Sequence, residues 1–118
     1  MKLDLRENGN VSVLVLSGQL TIGAEGQLSE AIDTLLESDR GSILLDLTRV
    51  SYMDSVGIGE LVSSYRTVKR LGGTLKILGP TKKVRDSLAL TQLLPILEVF
   101  DDEETAVASF ASADDQSS

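Results

Sequence analysis

The pattern of apolar and polar positions divides the chain into short strands and longer amphipathic segments. Leu3 and Leu5 alternate with polar residues, and after a turn signal at residues 8–10 the segment Val11–Leu16 is largely apolar. This pattern predicts a β-hairpin whose first strand lies at the edge of a sheet. The almost continuous apolar run Ile43–Leu47, bounded by turn residues, predicts a central strand that is covered on both faces.

Two segments carry apolar residues at the three- and four-residue spacing of one helical face. The first runs from Ala24 to Ser38, and the second opens near Ser55 and ends at the glycine pair of residues 72–73. Both spacings are typical of amphipathic helices that pack on a core. The positions predicted to face inward are Leu28, Ala31, Ile32, Leu35 and Leu36 in the first helix, and Ile58, Leu61, Val62, Tyr65 and Val68 in the second.

The last third of the chain continues this alternation. Residues 74–78 predict a buried strand, and Thr81 is placed to cap a short helix after the Gly-Pro break. Residues 96–100 predict a last strand, followed by a helix that starts in the acidic run 101–104. The inward positions of these two helices are expected to be Val84, Leu88, Ala106, Val107 and Phe110.

Alternating strands and helices after an opening hairpin predict an α/β fold, with helices packed against a mixed β-sheet. We expect one domain over residues 1–111, because the chain of 118 residues shows no internal repeat and no second core segment. Residues 112–118 are small and polar, and they are expected to form a flexible tail.

The absence of cysteine and histidine limits the chemistry that this chain can perform. Without cysteine there is neither a disulfide framework nor a thiolate metal site, and histidine is the commonest general base and metal ligand. We therefore expect no metal, no cofactor and no enzymatic activity. The amino-terminal segment has no apolar leader and no run is long enough to cross a bilayer, so we expect a cytoplasmic protein.

The formal net charge is −7, and the chain has only two tyrosines, two phenylalanines and no tryptophan. An acidic surface repels phosphate backbones and anionic lipid headgroups, and so few aromatic rings provide no stacking platform for bases. Nucleic acid and membrane are therefore not expected partners. A protein surface of basic character fits the charge better.

The segment 50–61 leaves the predicted central strand and enters the second helix. Ser55 stands where an N-cap is expected, and Gly57 and Gly59 leave that helix end without shielding side chains. A phosphoryl group on Ser55 would lie at the positive end of the helix dipole and would add close to two negative charges beside Asp54. Ser55 can thus be a simple helix cap or a switch that repels a docked partner when it is phosphorylated.

Three stretches taken in order resemble bacterial anti-sigma factor antagonists, which are stand-alone STAS domains. They are Leu45-Asp46-Leu47, residues 50–59 with the pattern Asp-Ser-x-Gly-x-Gly, and residues 71–76, and the resemblance extends from about residue 3 to residue 111. It implies a mostly parallel sheet with four helices. It also implies partner switching, in which the unphosphorylated chain binds an anti-sigma factor that is an ATP-dependent serine kinase and so frees the sigma factor.

In this family the kinase phosphorylates the serine after the aspartate, which is Ser55 here, and a serine phosphatase removes the phosphoryl group. The resemblance therefore implies phosphorylation at Ser55 and a partner-binding loop made of Asp54, Val56, Gly57, Ile58 and Gly59.

Two positions depart from the family pattern. The residue after the phosphorylated serine is often Ser or Thr in the family and is Val56 here, so an auxiliary hydroxyl is missing. The family often carries Glu-x-Asp after its second strand, where this chain has Gln19-Leu20-Thr21. Less negative charge near the site is expected to ease phosphorylation or change the choice of kinase, which makes Thr21 a possible partner contact.

Other charged residues have structural interpretations of different strength. Asp46 in its apolar strand is interpreted as structural, and the acids at 101–104 as a solvated complement to a helix dipole. Lys82 and Lys83 lie near the start of the third predicted helix, where cations are disfavoured, so a secondary partner contact stays open beside a plain solvated surface.

Two alternatives to the switch remain. A STAS domain can act as a scaffold subunit of a larger signalling complex without being switched at Ser55. A nucleotide hydrolase is the weaker alternative, because the sequence has no phosphate-binding loop, no histidine and no coherent pair of carboxylates.

Overall fold

A computed structural model describes residues 1–23, 26–91 and 95–117 of the chain, the last few as helical backbone. Strands and helices alternate after an opening hairpin, as the sequence predicts. The elements in chain order are β1 Lys2–Asn8, β2 Val11–Leu20, α1 Gln27–Glu37, β3 Ser42–Met53, α2 Ser55–Arg70, β4 Thr74–Leu78, α3 Lys82–Ala89, β5 Val99–Phe100 and α4 Glu103–Ser117.

The strands form one mixed sheet in the order β1-β2-β3-β4-β5, with β1 at its edge as predicted. β1 pairs antiparallel with β2, while β2, β3, β4 and β5 pair in parallel. The carboxyl ends of parallel strands lie at the same edge of a sheet. The segments that follow Leu20, Met53 and Leu78 therefore meet at one edge, which we call the carboxyl edge.

Helices cover both faces of the sheet. α1, α2 and α3 pack on one face over Leu45 and Leu47 of β3, and α4 packs on the other face over Leu44. All three of these β3 leucines are fully buried. The prediction that β3 is a central strand covered on both sides is confirmed, and its apolar run is explained by this double cover.

Several boundaries differ from the sequence prediction. β3 continues to Met53, because the residues after Leu47 still pair with β2 across two register shifts. β5 is limited to Val99–Phe100, since only these residues pair with the end of β4. α1 begins at Gln27, and the predicted start at Ala24 lies outside the described residues. The backbone of α4 is helical to Ser117, and the flexibility of residues 112–118 stays a prediction.

Asp46 holds the local conformation of β3. One of its carboxylate oxygens accepts hydrogen bonds from the Thr48 backbone N–H at 2.9 Å and from the Thr48 hydroxyl at 2.6 Å. The carboxylate thus satisfies the backbone of its own strand where the pairing register changes. This contact supports the structural interpretation of Asp46.

The acidic start of α4 is more engaged than a solvated cap. Asp102 accepts a hydrogen bond from Thr105 N–H at 2.9 Å, as a capping residue does. Glu103 instead forms an ion pair with Arg6 and accepts a hydrogen bond from the Asn8 side-chain amide at 2.8 Å. The expectation of plain solvation was wrong for Glu103, because β1 folds back beside the start of α4 and brings a cation there.

This ion pair makes the stability of the fold depend on pH. The hydrogen bond from Arg6 lowers the pKa of Glu103 from 4.5 to about 2. The folded form therefore holds fewer protons than the unfolded form, and the stabilisation is complete above about pH 4.5 and is lost as the pH falls toward 2. Because Arg6 is half-exposed, solvent screening limits the contribution to about 1 kcal/mol.

We expect Arg6→Gln to remove most of this pH dependence. Urea unfolding followed by circular dichroism at about pH 7 and about pH 3 measures it. Arg66→Gln, a loss of the same charge from the exposed side of α2, is the control and should keep the parent's pH dependence. An unchanged profile in Arg6→Gln would show that other carboxylates dominate acid unfolding.

Candidate phosphorylation and partner-binding site

Asp54, not Ser55, is the N-cap of α2. Asp54 has extended backbone angles of φ −95° and ψ −174°, and its Oδ1 accepts a hydrogen bond from Gly57 N–H at 2.9 Å. The prediction that Ser55 caps the helix was wrong, because aspartate is an equally good cap and precedes the serine by one residue. Ser55 is therefore the first residue of the helix.

Ser55 is exposed to solvent at the carboxyl edge of the sheet. Among the described residues, no group forms a hydrogen bond with its hydroxyl. The capping function belongs to the neighbouring carboxylate, so the serine oxygen is not needed to hold the helix end. The hydroxyl is thus accessible to another protein and can be modified without loss of the cap.

The second carboxylate oxygen of Asp54 reaches the segment that follows β2. Ile22 N–H donates to Asp54 Oδ2 at 3.1 Å, and Asp54 N–H donates to Leu20 O at 3.3 Å. The hydrogen bond from Gly57 N–H, with a further one from Ile22, lowers the pKa of Asp54. A phosphoryl group on Ser55 would therefore enter beside a carboxylate that is already ionised at neutral pH.

Gly57 and Gly59 lie in different surroundings, although the sequence analysis assigned the same role to both. Gly57 is buried, and a Cβ built on it would lie 1.9 Å from Leu20 O. Gly59 is exposed, and a Cβ there would meet no described atom outside its own stretch of helix within 4 Å. The interpretation of Gly57 as part of an unshielded helix end was wrong: it lets the first turn of α2 contact the end of β2.

The other residues predicted for the site also lie along the carboxyl edge. Val56 and Ile58 are partly buried in the first turn of α2, and Ile58 packs against the main core. Thr21 follows β2 and is half-buried, while its neighbour Ile22 is 72% exposed. The segment that contains Thr21 is thus tied to the α2 start through Asp54.

Lys82 and Lys83 begin α3 on the other side of this edge. Thr81 caps α3 as predicted, since its hydroxyl oxygen accepts a hydrogen bond from Val84 N–H at 3.3 Å. The same hydroxyl donates to Val50 O at 3.3 Å and so fixes the start of α3 beside β3. Both lysines are exposed.

Glu60 is a site residue that the sequence analysis missed. Its Oε1 accepts hydrogen bonds from the backbone N–H groups of Gly26 at 2.9 Å, Leu28 at 3.1 Å and Ser29 at 3.2 Å. A carboxylate on α2 thus caps α1, whose own N-cap is Gly26 and has no side chain to do so. The sequence has no capping side chain at Gly26, and this absence could have indicated that another residue caps α1.

We expect Glu60→Ala to lower the free energy of unfolding by about 1–2 kcal/mol, because the amide groups at the start of α1 lose their acceptor. Glu60→Gln keeps an acceptor oxygen of the same reach and should lose about half as much or less. Urea unfolding of the three proteins measures the difference. Equal stability of Glu60→Ala and the parent would show that water replaces the carboxylate at no cost.

The described residues contain no group of three or more acidic side chains arranged to hold a metal ion. No helix in the described ranges is both long enough and apolar enough to span a bilayer.

The sequence matches a known domain family over most of its length. The family model of the STAS domain matches residues 2–106. The chain belongs to the STAS domain family. This result confirms the resemblance drawn from the sequence, and the mixed sheet with its opening hairpin and four helices in the described residues is the STAS fold.

Several relatives of this STAS domain are named after anti-sigma factors. The anti-sigma-B factor antagonist of Bacillus subtilis (strain 168) is 27% identical over 99 residues, which cover 84% of this chain and 90% of that protein. The anti-sigma F factor antagonist of Paenibacillus polymyxa is 22% identical over 108 residues, 91% of this chain and 92% of that protein. Both names describe proteins that oppose an anti-sigma factor.

Solved structures show the same fold. An anti-sigma factor antagonist from Mycobacterium paratuberculosis superposes with a TM-score of 0.80 at 20% identity, covering 92% of both chains. The Bacillus cell fate determinant SpoIIAA in its phosphorylated form superposes with a TM-score of 0.71 at 24% identity, covering 92% of this chain and 99% of that one. At these identities the similarity establishes the architecture of the STAS domain alone.

Proposed function

We propose that this STAS domain is a cytoplasmic anti-sigma factor antagonist that works by partner switching. In its unphosphorylated form it binds an anti-sigma factor that is also a serine kinase, and the sigma factor is released. The kinase phosphorylates Ser55, the complex dissociates, and a serine phosphatase returns the chain to its binding form. The chain is a substrate of these enzymes and not itself a catalyst.

The observation that carries this proposal is the position of Ser55. Its side chain is exposed at the first turn of α2, while Asp54 caps the helix in its place. The Ser55 hydroxyl is therefore accessible to a kinase, since no described group forms a hydrogen bond with it. The helix end that carries it is fixed by the hydrogen bonds of Asp54. The first turn of α2, from Asp54 to Gly59, supplies the docking surface around it.

Electrostatics supplies the switch. A phosphoryl group brings about two negative charges next to the ionised Asp54 carboxylate. A partner surface that packs over the bare serine and offers no cation there would have to desolvate this charge, which costs several kcal/mol. The fold itself tolerates the change, because the start of a helix is the end at which negative charge is favoured. Binding is thus lost while the domain stays folded.

Mapping of the added phosphoryl group tests the proposal. Each anti-sigma factor of the serine-kinase type that is encoded in the same genome is purified and incubated with the chain and ATP, and the product is analysed by peptide mass spectrometry. We expect one phosphoryl group, located on Ser55, and none in Ser55→Ala. Ser63→Ala, a loss of another exposed α2 hydroxyl, is the control and should be phosphorylated like the parent.

Phosphorylation of another residue, or none by any of these kinases, would contradict the switch. An unmodified chain that is recovered in a particle of high native mass would favour the scaffold alternative.

A further inference from the structure

A tyrosine and a lysine form a basic spot beside Ser55. Lys83 Nζ lies 5.6 Å from the centroid of the Tyr52 ring, which is a cation–π geometry. Tyr52 lies near the end of β3 and is 40% exposed, and Lys83 lies in the first turn of α3. Tyr52 precedes Ser55 by three residues, which span at most about 11 Å of chain, so this Tyr52–Lys83 spot lies near the proposed phosphorylation site on the carboxyl edge.

The position of Lys83 in α3 is unfavourable for a positive charge. The amino-terminal turn of a helix disfavours cations, and both Lys82 and Lys83 lie there in α3. Lys82 is compensated by Asp86 one turn later, at 3.1 Å. The corresponding residue for Lys83 is Ser87, whose hydroxyl donates to the Lys83 backbone oxygen.

Among the side chains that the structure describes, no carboxylate forms an ion pair with Lys83, and the Tyr52 ring is the group found against its ammonium. Within the described part of the chain Lys83 thus has no acidic partner, and a docked protein can supply one.

We propose that the Tyr52–Lys83 spot binds an acidic side chain of the anti-sigma factor that docks over Ser55. This inference rests on the proposed function and adds the chemistry of one contact. The chain carries a net charge of −7, so most of its surface attracts basic groups. An uncompensated cation at the carboxyl edge attracts an acidic group instead. A local change in the sign of the surface charge fixes the relative position in which two proteins dock.

The aromatic ring makes the contact efficient. A lysine side chain loses rotamer freedom when it binds, and stacking on Tyr52 restricts it before the partner arrives. Tyrosine is also among the residues that contribute most to interface energies. The Tyr52 ring therefore holds the Lys83 ammonium in position near Ser55 before an acidic side chain of the partner binds to it.

Charge reversal at Lys83 tests the inference. Lys83→Glu, kept unphosphorylated, is titrated by calorimetry against the purified anti-sigma factor kinase that binds the parent. We expect at least tenfold weaker binding, because a favourable charge contact becomes a repulsive one. Lys83→Gln should bind with a weaker salt dependence than the parent. Unfolding does not account for a loss of binding by Lys83→Glu, since glutamate is favoured in the first turn of α3.

Lys69→Glu is the matched control, because it makes the same charge change near the opposite end of α2. It should bind within about threefold of the parent, as expected for a charge far from the docked surface. Equal losses in Lys69→Glu and Lys83→Glu would indicate a net-charge effect and overturn the inference. Parent-like binding by Lys83→Glu, with phosphorylation of Ser55 still abolishing binding, would overturn the contact and leave the switch intact. No binding by the unphosphorylated parent would overturn both.

Discussion

Gly57→Ala is expected to destabilise the domain by about 3 kcal/mol or more, the largest effect of any single methyl group at the site. The new Cβ would lie 1.9 Å from Leu20 O and 2.7 Å from the carbonyl carbon, both of which are backbone atoms. A flexible side chain could move away from such a contact, but a paired strand end cannot. The first turn of α2 would therefore have to shift away from β2, breaking the Asp54 contacts that hold the site.

Gly59→Ala is the matched control for Gly57→Ala. It adds the same methyl group two residues further along the same helix, where the structure describes no atom beyond the adjoining helix turns within 4 Å. Alanine is a better helix former than glycine, so this variant should be more stable than the parent by about 0.5–1 kcal/mol. Urea unfolding measures both variants. A Gly57→Ala protein as stable as the parent would show that the α2–β2 contact can relax, and would contradict the close approach of Gly57 to Leu20.

The elements of this fold could be predicted from the sequence because their signals are local. The apolar run of β3 and the helical spacing in α2 each reflect one buried face. The ends of β3 and β5 could not be predicted in this way, because a strand ends where its neighbour stops pairing. The apolar run of β3 ends at Leu47 in the sequence, yet Arg49 still pairs with Ser17 of β2.

The sequence identified the segment that forms the site but not the contacts that its residues make. The pattern of residues 54–59 identified the right turn, while the choice between Asp54 and Ser55 as cap depended on which oxygen reaches the Gly57 amide. The burial of Gly57 and the capping of α1 by Glu60 are tertiary contacts with Leu20 and with residues 26–29. No local rule relates those positions, because the sheet brings them together.

Negative charge at position 55 should weaken binding to the anti-sigma factor, and a larger charge should weaken it more. We expect Ser55→Ala to bind within about threefold of the parent, since the hydroxyl makes no hydrogen bond in the described structure that its loss would break. Ser55→Asp should bind about tenfold more weakly, and the phosphorylated parent about a hundredfold more weakly, as one and then nearly two charges are buried beside Asp54. Calorimetric titration with the kinase in the absence of ATP measures all three.

The order of these affinities distinguishes charge from shape. Aspartate at the first helical position is favoured by the dipole, so Ser55→Asp stays folded and its weaker binding cannot come from a damaged helix. Ser63→Asp places the same charge on α2 about 12 Å further along the axis, and should bind like the parent. If Ser55→Ala and Ser55→Asp bound equally well, charge would not control docking. The switch would then have to depend on the size of the phosphoryl group. If Ser55→Ala lost affinity as well, the Ser55 hydroxyl itself would contact the partner. A damaged helix end could not explain that loss, because Asp54 caps α2 in both Ser55 variants as it does in the parent.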